Sequence, residues 1–184
     1  NAGSGDVSVI DGDNTSAAYH SVISTVGSGS GAKSVTVSPD GTRMYVGTST
    51  GFVVIETTAY GVISTVGTGA GSKSVTITPD GTLLFILTTA GTILVVDVMP
   101  GSASENQVIS TVGTGAGAKS VTVSADGTLL FVIQEDSDVV LVIAINVIPG
   151  VSVVDGAAPS FTVQTTVIDE ITAGSDPSFV AVDP

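Results

Sequence analysis

The chain has 184 residues, with 17 acidic and 4 basic side chains and a formal net charge of −13. A surface this negative repels phosphate backbones, which argues against a nucleic-acid partner. The chain has no cysteine and one histidine, which excludes a disulfide framework and a zinc site built from several Cys or His residues of one chain. No apolar run reaches the roughly 18 residues of a membrane-spanning helix, so we expect no transmembrane segment.

The composition and a long repeat predict the fold class. The apolar residues are mainly Val and Ile, mixed with Thr, Ser and Gly, and β-branched residues fit a pleated sheet better than a helix. The hexapeptide VISTVG begins at Val22, Val62 and Val108, and a degenerate copy begins at Val167. These starts are 40, 46 and 59 residues apart. A period of roughly 40–50 residues containing several short strands is typical of a β-propeller blade.

In chain order, residues 5–11 (GDVSVID) read as the third strand of a blade, and the first VISTVG reads as its outer strand. The second repeat shows the predicted blade in full. Its first strand is 73–78, the Pro-Asp-Gly turn 79–81, the second strand 82–88, the third strand 92–98 and the outer strand 107–113. Pro, Asp and Gly are each suited to a tight turn. The second strand, TLLFILT, is nearly all apolar, as expected for a strand buried on both faces.

The third repeat follows the same order, with Ser-Ala-Asp-Gly at its turn and DVVLVIAIN as its third strand. Residues 147–164 are more than a hairpin loop needs, and we interpret them as an insertion. This insertion is either a tolerated surface loop or a docking loop. The predicted blade boundaries lie near residues 21–33, 61–73, 107–119 and 166–178.

The two ends of the sequence match different parts of one blade. Residues 174–184 resemble a first strand, and the N-terminal residues resemble a third strand. Together they form a blade that lacks the counterpart of residues 40–46. The sequence is then either part of a longer propeller, or a protein whose missing strand comes from a neighbouring subunit and polymerises it. The predicted fold is therefore all-β, a β-propeller of about four four-stranded blades with one incomplete at the chain ends.

Three segments carry a family resemblance: NAGSGDVSVIDGDNT (1–15), SPDGTRMYVGTSTGFVVIET (38–57) and GSDPSFVAVDP (174–184). They resemble the YVTN family of β-propellers, which is common in extracellular and surface-layer proteins of archaea and bacteria. The resemblance implies a propeller and an extracellular or cell-surface location. It says less about function, because propellers host many functions. The chain departs from the family pattern in the lysines near its first strands and in its Gly- and Thr-rich crossings between blades.

Three of the four basic side chains share one blade position, just before or at the start of the first strand: Lys33, Lys73 and Lys119. In a propeller this position lies near the central channel, so the three predict an arc of positive charge. The arc either binds an acidic partner or reflects copied repeats whose lysines are solvated or paired with nearby carboxylates. The fourth blade has Ser178 at this position, which would leave the arc incomplete.

Acidic residues recur where third strands end, at Asp11, Glu56 and Asp97, and hairpin termination explains them most simply. Asp11 and Asp13 also gather oxygen ligands of the kind that Ca²⁺ prefers, which makes a weak calcium site an alternative. Asn14 begins an Asn-Thr-Ser glycosylation acceptor. We expect no other cofactor.

The sequence contains no evident catalytic set, and we predict that the protein is not an enzyme. No Gly-x-Ser-x-Gly elbow is present, and the single histidine has no nucleophile pattern around it. The favoured function is an extracellular structural or interaction protein that assembles, with copies of itself or other surface proteins, into a surface layer, sheath or filament. The alternative is a carbohydrate- or protein-binding propeller of a secreted adhesin, although aromatic residues make up only 4% and Trp is absent. A lactonase-like enzyme is the third hypothesis.

Overall fold

The computed structural model describes residues 3–149 and 161–172. Within them, the chain forms three four-stranded antiparallel sheets, a two-stranded ribbon and one turn of 3₁₀ helix, Glu135–Ser137. The strands are β1 (Asp6–Ile10), β2 (Val22–Gly27), β3 (Ser34–Val37), β4 (Arg43–Gly47), β5 (Gly51–Glu56), β6 (Val62–Gly67), β7 (Ser72–Ile77), β8 (Leu83–Thr88), β9 (Thr92–Asp97), β10 (Gln107–Gly113), β11 (Ala118–Val123), β12 (Leu129–Gln134), β13 (Val139–Pro149) and β14 (Phe161–Thr172).

Each sheet is a meander of consecutive strands, and the sheets follow one another along the chain. The ribbon is β1–β2, sheet 1 is β3 to β6, sheet 2 is β7 to β10, and sheet 3 is β11 to β14. One apolar cluster lies between the ribbon and sheet 1, a second between sheets 1 and 2, and a third between sheets 2 and 3. The first strands β3, β7 and β11 contact one another in series. The sheets therefore stack face to face with their first strands adjacent.

The middle strands are buried because each inner sheet is covered on both faces. All six residues of β8 are buried, so the prediction of a strand buried on both faces is confirmed there. Hydrogen bonds from backbone N–H groups to serine side chains of the neighbouring first strand add to the packing. The Val75 N–H donates to Ser34 Oγ across 3.0 Å, and the Val121 N–H donates to Ser74 Oγ across 3.4 Å. The repeated Lys-Ser-Val thus joins each sheet to the next.

The outer strands are less regular than the sequence pattern indicates. In all four, the pairing register shifts so that the Ile of the Val-Ile pair has no partner residue: Ile23, Ile63, Ile109 and Ile168. Each of these is a β-bulge, in which two residues oppose one on the neighbouring strand. In β2, β6 and β10 a left-handed residue that is not glycine precedes the strand, namely His20, Tyr60 and Asn106, with φ between 57° and 64°.

The last hairpin differs from the predicted boundaries. β13 continues to Pro149, and β14 begins at Phe161 rather than near Val167. Both ends of the predicted 147–164 insertion therefore extend the hairpin. The pairing of β13 with β14 runs from Val139 opposite Thr172 to Pro149 opposite Phe161. The middle of the insertion, residues 150–160, lies outside the described residues. So does the predicted C-terminal strand of the fourth blade, together with Ser178.

Candidate interaction surfaces

The meander places the chain connections at two opposite ends of the sheets. One end, which we call the turn face, carries the β3–β4, β7–β8 and β11–β12 turns and the loops that lead into the outer strands. The other end, which we call the crossing face, carries the connections from one sheet to the next and the tight turns between second and third strands. The two faces differ in charge.

The turn face is strongly acidic. Among the described residues, its only lysine or arginine is Arg43, against seven carboxylates that are at least partly exposed and the fully buried Asp97. The seven are Asp11, Asp13, Asp40, Glu56, Asp80, Glu105 and Asp126. All three lysines of the chain lie at the crossing face, where they are accompanied by acidic residues that include Glu135 and Asp136. The molecule is therefore electrically asymmetric as well as negative.

The three Asp turns have the same local pattern of hydrogen bonds. In the first, Asp40 Oδ1 accepts from the Ser38 hydroxyl and from the Thr42 N–H at 3.0 Å, and Asp40 Oδ2 accepts from the Thr42 hydroxyl at 2.9 Å. The hydrogen bond from Ser38 is the largest of the contributions that lower the pKa of Asp40 to about 2.

The same pattern recurs in the turns of sheets 2 and 3. Hydrogen bonds led by that from Ser124 lower the pKa of Asp126. Burial raises the pKa of Asp80, but hydrogen bonds from Thr78 and Thr82 outweigh it and the pKa is lowered. All three carboxylates therefore favour the ionised state.

The three predicted lysines all lie at the crossing face, but their partners differ. Lys33 is exposed at the start of β3. Lys73 Nζ donates to the Ala118 carbonyl of the next sheet at 2.8 Å. Lys119 forms an ion pair with Glu135. Two of the three ammonium groups thus have partners within the chain, and binding of an acidic partner by the arc stays a prediction.

The predicted calcium ligands close their own turns. Asp11 Oδ1 accepts from the Asp13 N–H at 2.8 Å, and Asp13 Oδ1 accepts from the Thr15 N–H at 2.8 Å. Hydrogen bonds, led by Ser16 for Asp11 and Thr15 for Asp13, lower both pKa values. Asn14 lies in the same exposed turn, and its glycosylation stays a prediction.

Hairpin termination by carboxylates fits the geometry. Glu56 accepts from the Ala59 N–H at 3.3 Å, and the fully buried Asp97 accepts from the Met99 N–H at 2.9 Å. In the described part of the chain, no three His, Cys, Asp or Glu side chains are grouped as a metal site requires. The single histidine stacks on Tyr19, with ring centroids 3.7 Å apart.

A groove on the turn face was not predicted. It has a volume of about 370 Å³ and runs between the turns of sheets 1 and 2, with Arg43 and Tyr45 in its wall. Arg43 Nη1 donates to Glu105 Oε1 at 2.7 Å, which ties sheet 1 to the loop before β10. This bond lowers the pKa of Glu105 and raises that of Arg43.

A second unpredicted feature is the uncovered face of β3. Val35 and Val37 are 50% and 49% exposed, whereas the matching Val75 and Ile77 of β7 are 6% and 8% exposed. A groove of about 320 Å³ lies beside this face, bounded by Val35, Lys33 and residues of β1. The apolar face of β3 is thus exposed, whereas β3 itself covers the matching face of β7.

Comparison with known proteins bears on the fold alone. No family model and no curated protein sequence matches the chain. Solved structures do match. The Kluyveromyces lactis Hsv2 propeller matches with a TM-score of 0.68 and 12% sequence identity. The match covers 94% of this chain and 57% of the Hsv2 chain. The fold is β-propeller-like.

A Kuenenia stuttgartiensis hydrazine synthase matches 61% of this chain with a TM-score of 0.55 and 21% identity. The chain covers 32% of that protein and little more than half of Hsv2, so it spans only part of their length. At such identities the likeness carries no function. Within residues 3–149 and 161–172, no helix has the length and apolar character of a membrane span.

Proposed function

We propose that the chain is a β-propeller module of an extracellular structural or interaction protein. It assembles with other copies of itself into a surface layer, sheath or filament. In this proposal the propeller has about four four-stranded blades, and a strand from a neighbouring subunit completes the unfinished one. The location is supported by the resemblance to extracellular propellers and by a composition rich in Thr, Ser and Gly.

The observation that carries the proposal is the uncovered face of β3. Val35 and Val37 have the same place in their sheet as Val75 and Ile77, which the adjoining first strand covers. Fully burying a Val side chain contributes about 1.5–3 kcal/mol, so covering the exposed half of Val35 and Val37 contributes roughly half of that for each and favours association. The strand that the unfinished blade lacks is the counterpart of β4. Because β4 contacts β7 within the chain, such a strand from another copy would lie against β3 in the same way.

The alternative function is a carbohydrate- or protein-binding module of a secreted adhesin. It is favoured by the turn-face groove, where Asp40, Asp80 and Arg43 offer hydrogen-bonding groups beside Tyr45. Binding sites of this size combine an apolar wall with a few polar groups. In this function the chain would act without assembling.

Electron microscopy and mass photometry at rising protein concentration, with and without calcium, test the proposal. We expect the wild type to assemble and the V35K/V37K variant to stay monomeric, because two charges on β3 oppose strand addition. The matched control is T58K/A59K, which adds the same charge at exposed positions of the turn face. Wild-type protein that stays monomeric at every concentration contradicts the proposal, and glycan binding by such monomers would favour the adhesin.

A further inference from the structure

The outer strands form the rim of the molecule, and three of them have the same uncharged sequence. β2, β6 and β10 all contain VISTVG, with no Pro and no charged residue. Each is the last strand of its sheet, so one row of its backbone N–H and C=O groups points away from the sheet. Exposed strand edges readily pair with other chains, and proteins commonly protect them with charged residues, Pro or β-bulges. These three strands have no charge and no Pro, and their one bulge lies near the start of the strand, so the Ser-Thr-Val-Gly part that follows is regular.

The bulges bring apolar side chains to this rim. In a regular strand successive side chains point to opposite faces, so one of a Val-Ile pair would be buried. At the bulge, both residues oppose a single partner residue. The exposed members are Val22 (58%), Ile23 (50%), Val62 (51%), Ile63 (48%), Val108 (41%), Val167 (41%) and Ile168 (56%). Isolated exposed apolar residues are ordinary, but an exposed Val at the same place in all four outer strands, joined by an exposed Ile in three of them, forms a repeated feature. In β10 the matching Ile109 packs against the apolar cluster between sheets 2 and 3.

The fourth outer strand shows that charge is compatible with this position. β14 has the same bulge, but its sequence continues with Asp169 and Glu170, both exposed, where the other strands have Ser and Thr. The fold therefore tolerates acidic residues on an outer strand. Their absence from β2, β6 and β10 is a property of those three strands and not a requirement of the fold.

The charges on the molecule favour a second copy as the occupant of the rim. Copies with a net charge of −13 repel one another wherever their acidic surfaces meet. The three outer strands carry no charge, so two copies can meet there without opposing like charges. A basic partner would be drawn instead to the turn face, where the carboxylates lie. Identical strands also pair symmetrically when antiparallel, since each presents the same residues to the other.

We propose that β2, β6 and β10 form lateral contacts between copies of this chain. In each contact an outer strand of one copy pairs edge to edge with an outer strand of another, and the Val-Ile pairs of the two strands pack together. The inference rests on the proposed self-assembly and adds a second contact to it. Covering of β3 joins copies end to end, whereas the rim joins them side by side.

The size of each contact explains why several are needed. A strand of six residues is about 20 Å long, and one pair of such strands buries less than the roughly 1,000 Å² of a stable interface. Three equivalent edges on one chain act together, so that weak contacts combine into a cooperative array. Lateral growth should therefore begin only at high concentration or within an assembly already formed end to end.

A triple variant, V22K/V62K/V108K, tests the rim. Its matched control is A17K/A59K/A103K, which adds the same three charges at exposed alanines in the loops that lead into the same strands. Sedimentation velocity and electron microscopy report association and assembly width. We expect at least about tenfold weaker lateral association for the rim variant and wild-type behaviour for the control. Circular dichroism melting checks that both variants fold.

A second variant keeps the test valid if lysines disturb the strands. V22T/V62T/V108T retains β-branched side chains and the net charge, and it removes only apolar surface. We expect the threonine variant to reduce the width of the assemblies less than the lysine variant does. Rim variants that associate like the wild type, or a control that loses association equally, would overturn the lateral contact while the proposed function stands. A wild type that does not assemble would overturn both.

Discussion

Sheets 1 and 2 share the segments Lys-Ser-Val-Thr, Pro-Asp-Gly-Thr and VISTVG, but their surroundings differ. Val75 and Ile77 of sheet 2 are buried because they pack in the apolar cluster between sheets 1 and 2, where β3 lies against β7. On the other side of β3 the described chain has the ribbon β1–β2, which contains no first strand, and Val35 and Val37 are about half exposed. Burial in this chain is thus a property of neighbouring units, as in repeat proteins whose stability is a sum of unit and interface terms.

The largest effect should come from the middle of sheet 2. Phe85 is fully buried in the cluster between sheets 2 and 3, and Phe85→Ala should lower the free energy of unfolding by about 3–5 kcal/mol. Phe131 has the matching place in sheet 3 but is only partly buried, so Phe131→Ala should cost less. Guanidinium unfolding followed by circular dichroism measures both. Equal losses would contradict the difference between the two surroundings.

The comparison of β3 with β7 is tested directly by one substitution at two matching positions. Val75→Ala should cost about 2 kcal/mol, because a covered Val loses its burial and leaves a gap. Val35→Ala should cost less than about 1 kcal/mol, because half of its surface is already in water. The measurement is again the free energy of unfolding, made at concentrations where the protein is monomeric. If the two losses are the same, β3 is covered in solution.

The sequence alone predicts the features that depend on local residues. TLLFILT predicted a strand buried on both faces because a near-continuous apolar run needs cover on each side, and Pro-Asp-Gly predicted the turn at Gly81. The bulge at Ile63 escaped prediction because VISTVG reads as a regular strand. Its backbone follows a left-handed Tyr60, a residue type that rarely adopts this conformation and so gives no warning.

The candidate surfaces depend on contacts between residues that are far apart in sequence, so the sequence alone did not predict them. Arg43 and Glu105 are 62 residues apart, and only the folded path of residues 98–106 brings them together. The lysines at one blade position were predictable from the repeat. Their different partners were not, because Ala118 and Glu135 belong to other strands and turns. The repeat therefore predicts positions, and the neighbouring units determine contacts.

The turn glycines also compare sheet 1 with sheet 2, and there we expect a smaller and more local effect on stability. Gly41 and Gly81 have φ of 72° and 74°, so alanine at either is strained by about 1–2 kcal/mol. A Cβ at Gly81 would also lie 3.3 Å from Pro39 of sheet 1, whereas a Cβ at Gly41 would meet nothing within 4 Å. Gly81→Ala should therefore melt at a lower temperature than Gly41→Ala. Identical melting temperatures would show that Pro39 moves aside without cost.

The smallest effect concerns the Asp turns, which should behave alike in all three sheets because their bonds are local. Asp40 has a pKa of about 2 against an ordinary 3.8, so the folded state holds its ionised form more tightly than the unfolded state does. Its contribution to stability is complete above pH 3.8 and is lost as the pH falls toward 2. Asp40→Asn should lower the melting temperature at neutral pH and much less at pH 2.

Asp126→Asn is the matched variant in sheet 3, and its pH profile should run parallel to that of Asp40→Asn. Both carboxylates accept from a Ser hydroxyl and from the Thr that follows the turn glycine, so the two profiles compare one bonding pattern in two surroundings. Parallel profiles would show that the stability of each turn depends on hydrogen bonds within the turn. The strands differ in this respect, because their burial depends on the adjoining sheet. A loss that persists undiminished at pH 2 would show that the amide disturbs the turn for reasons other than charge.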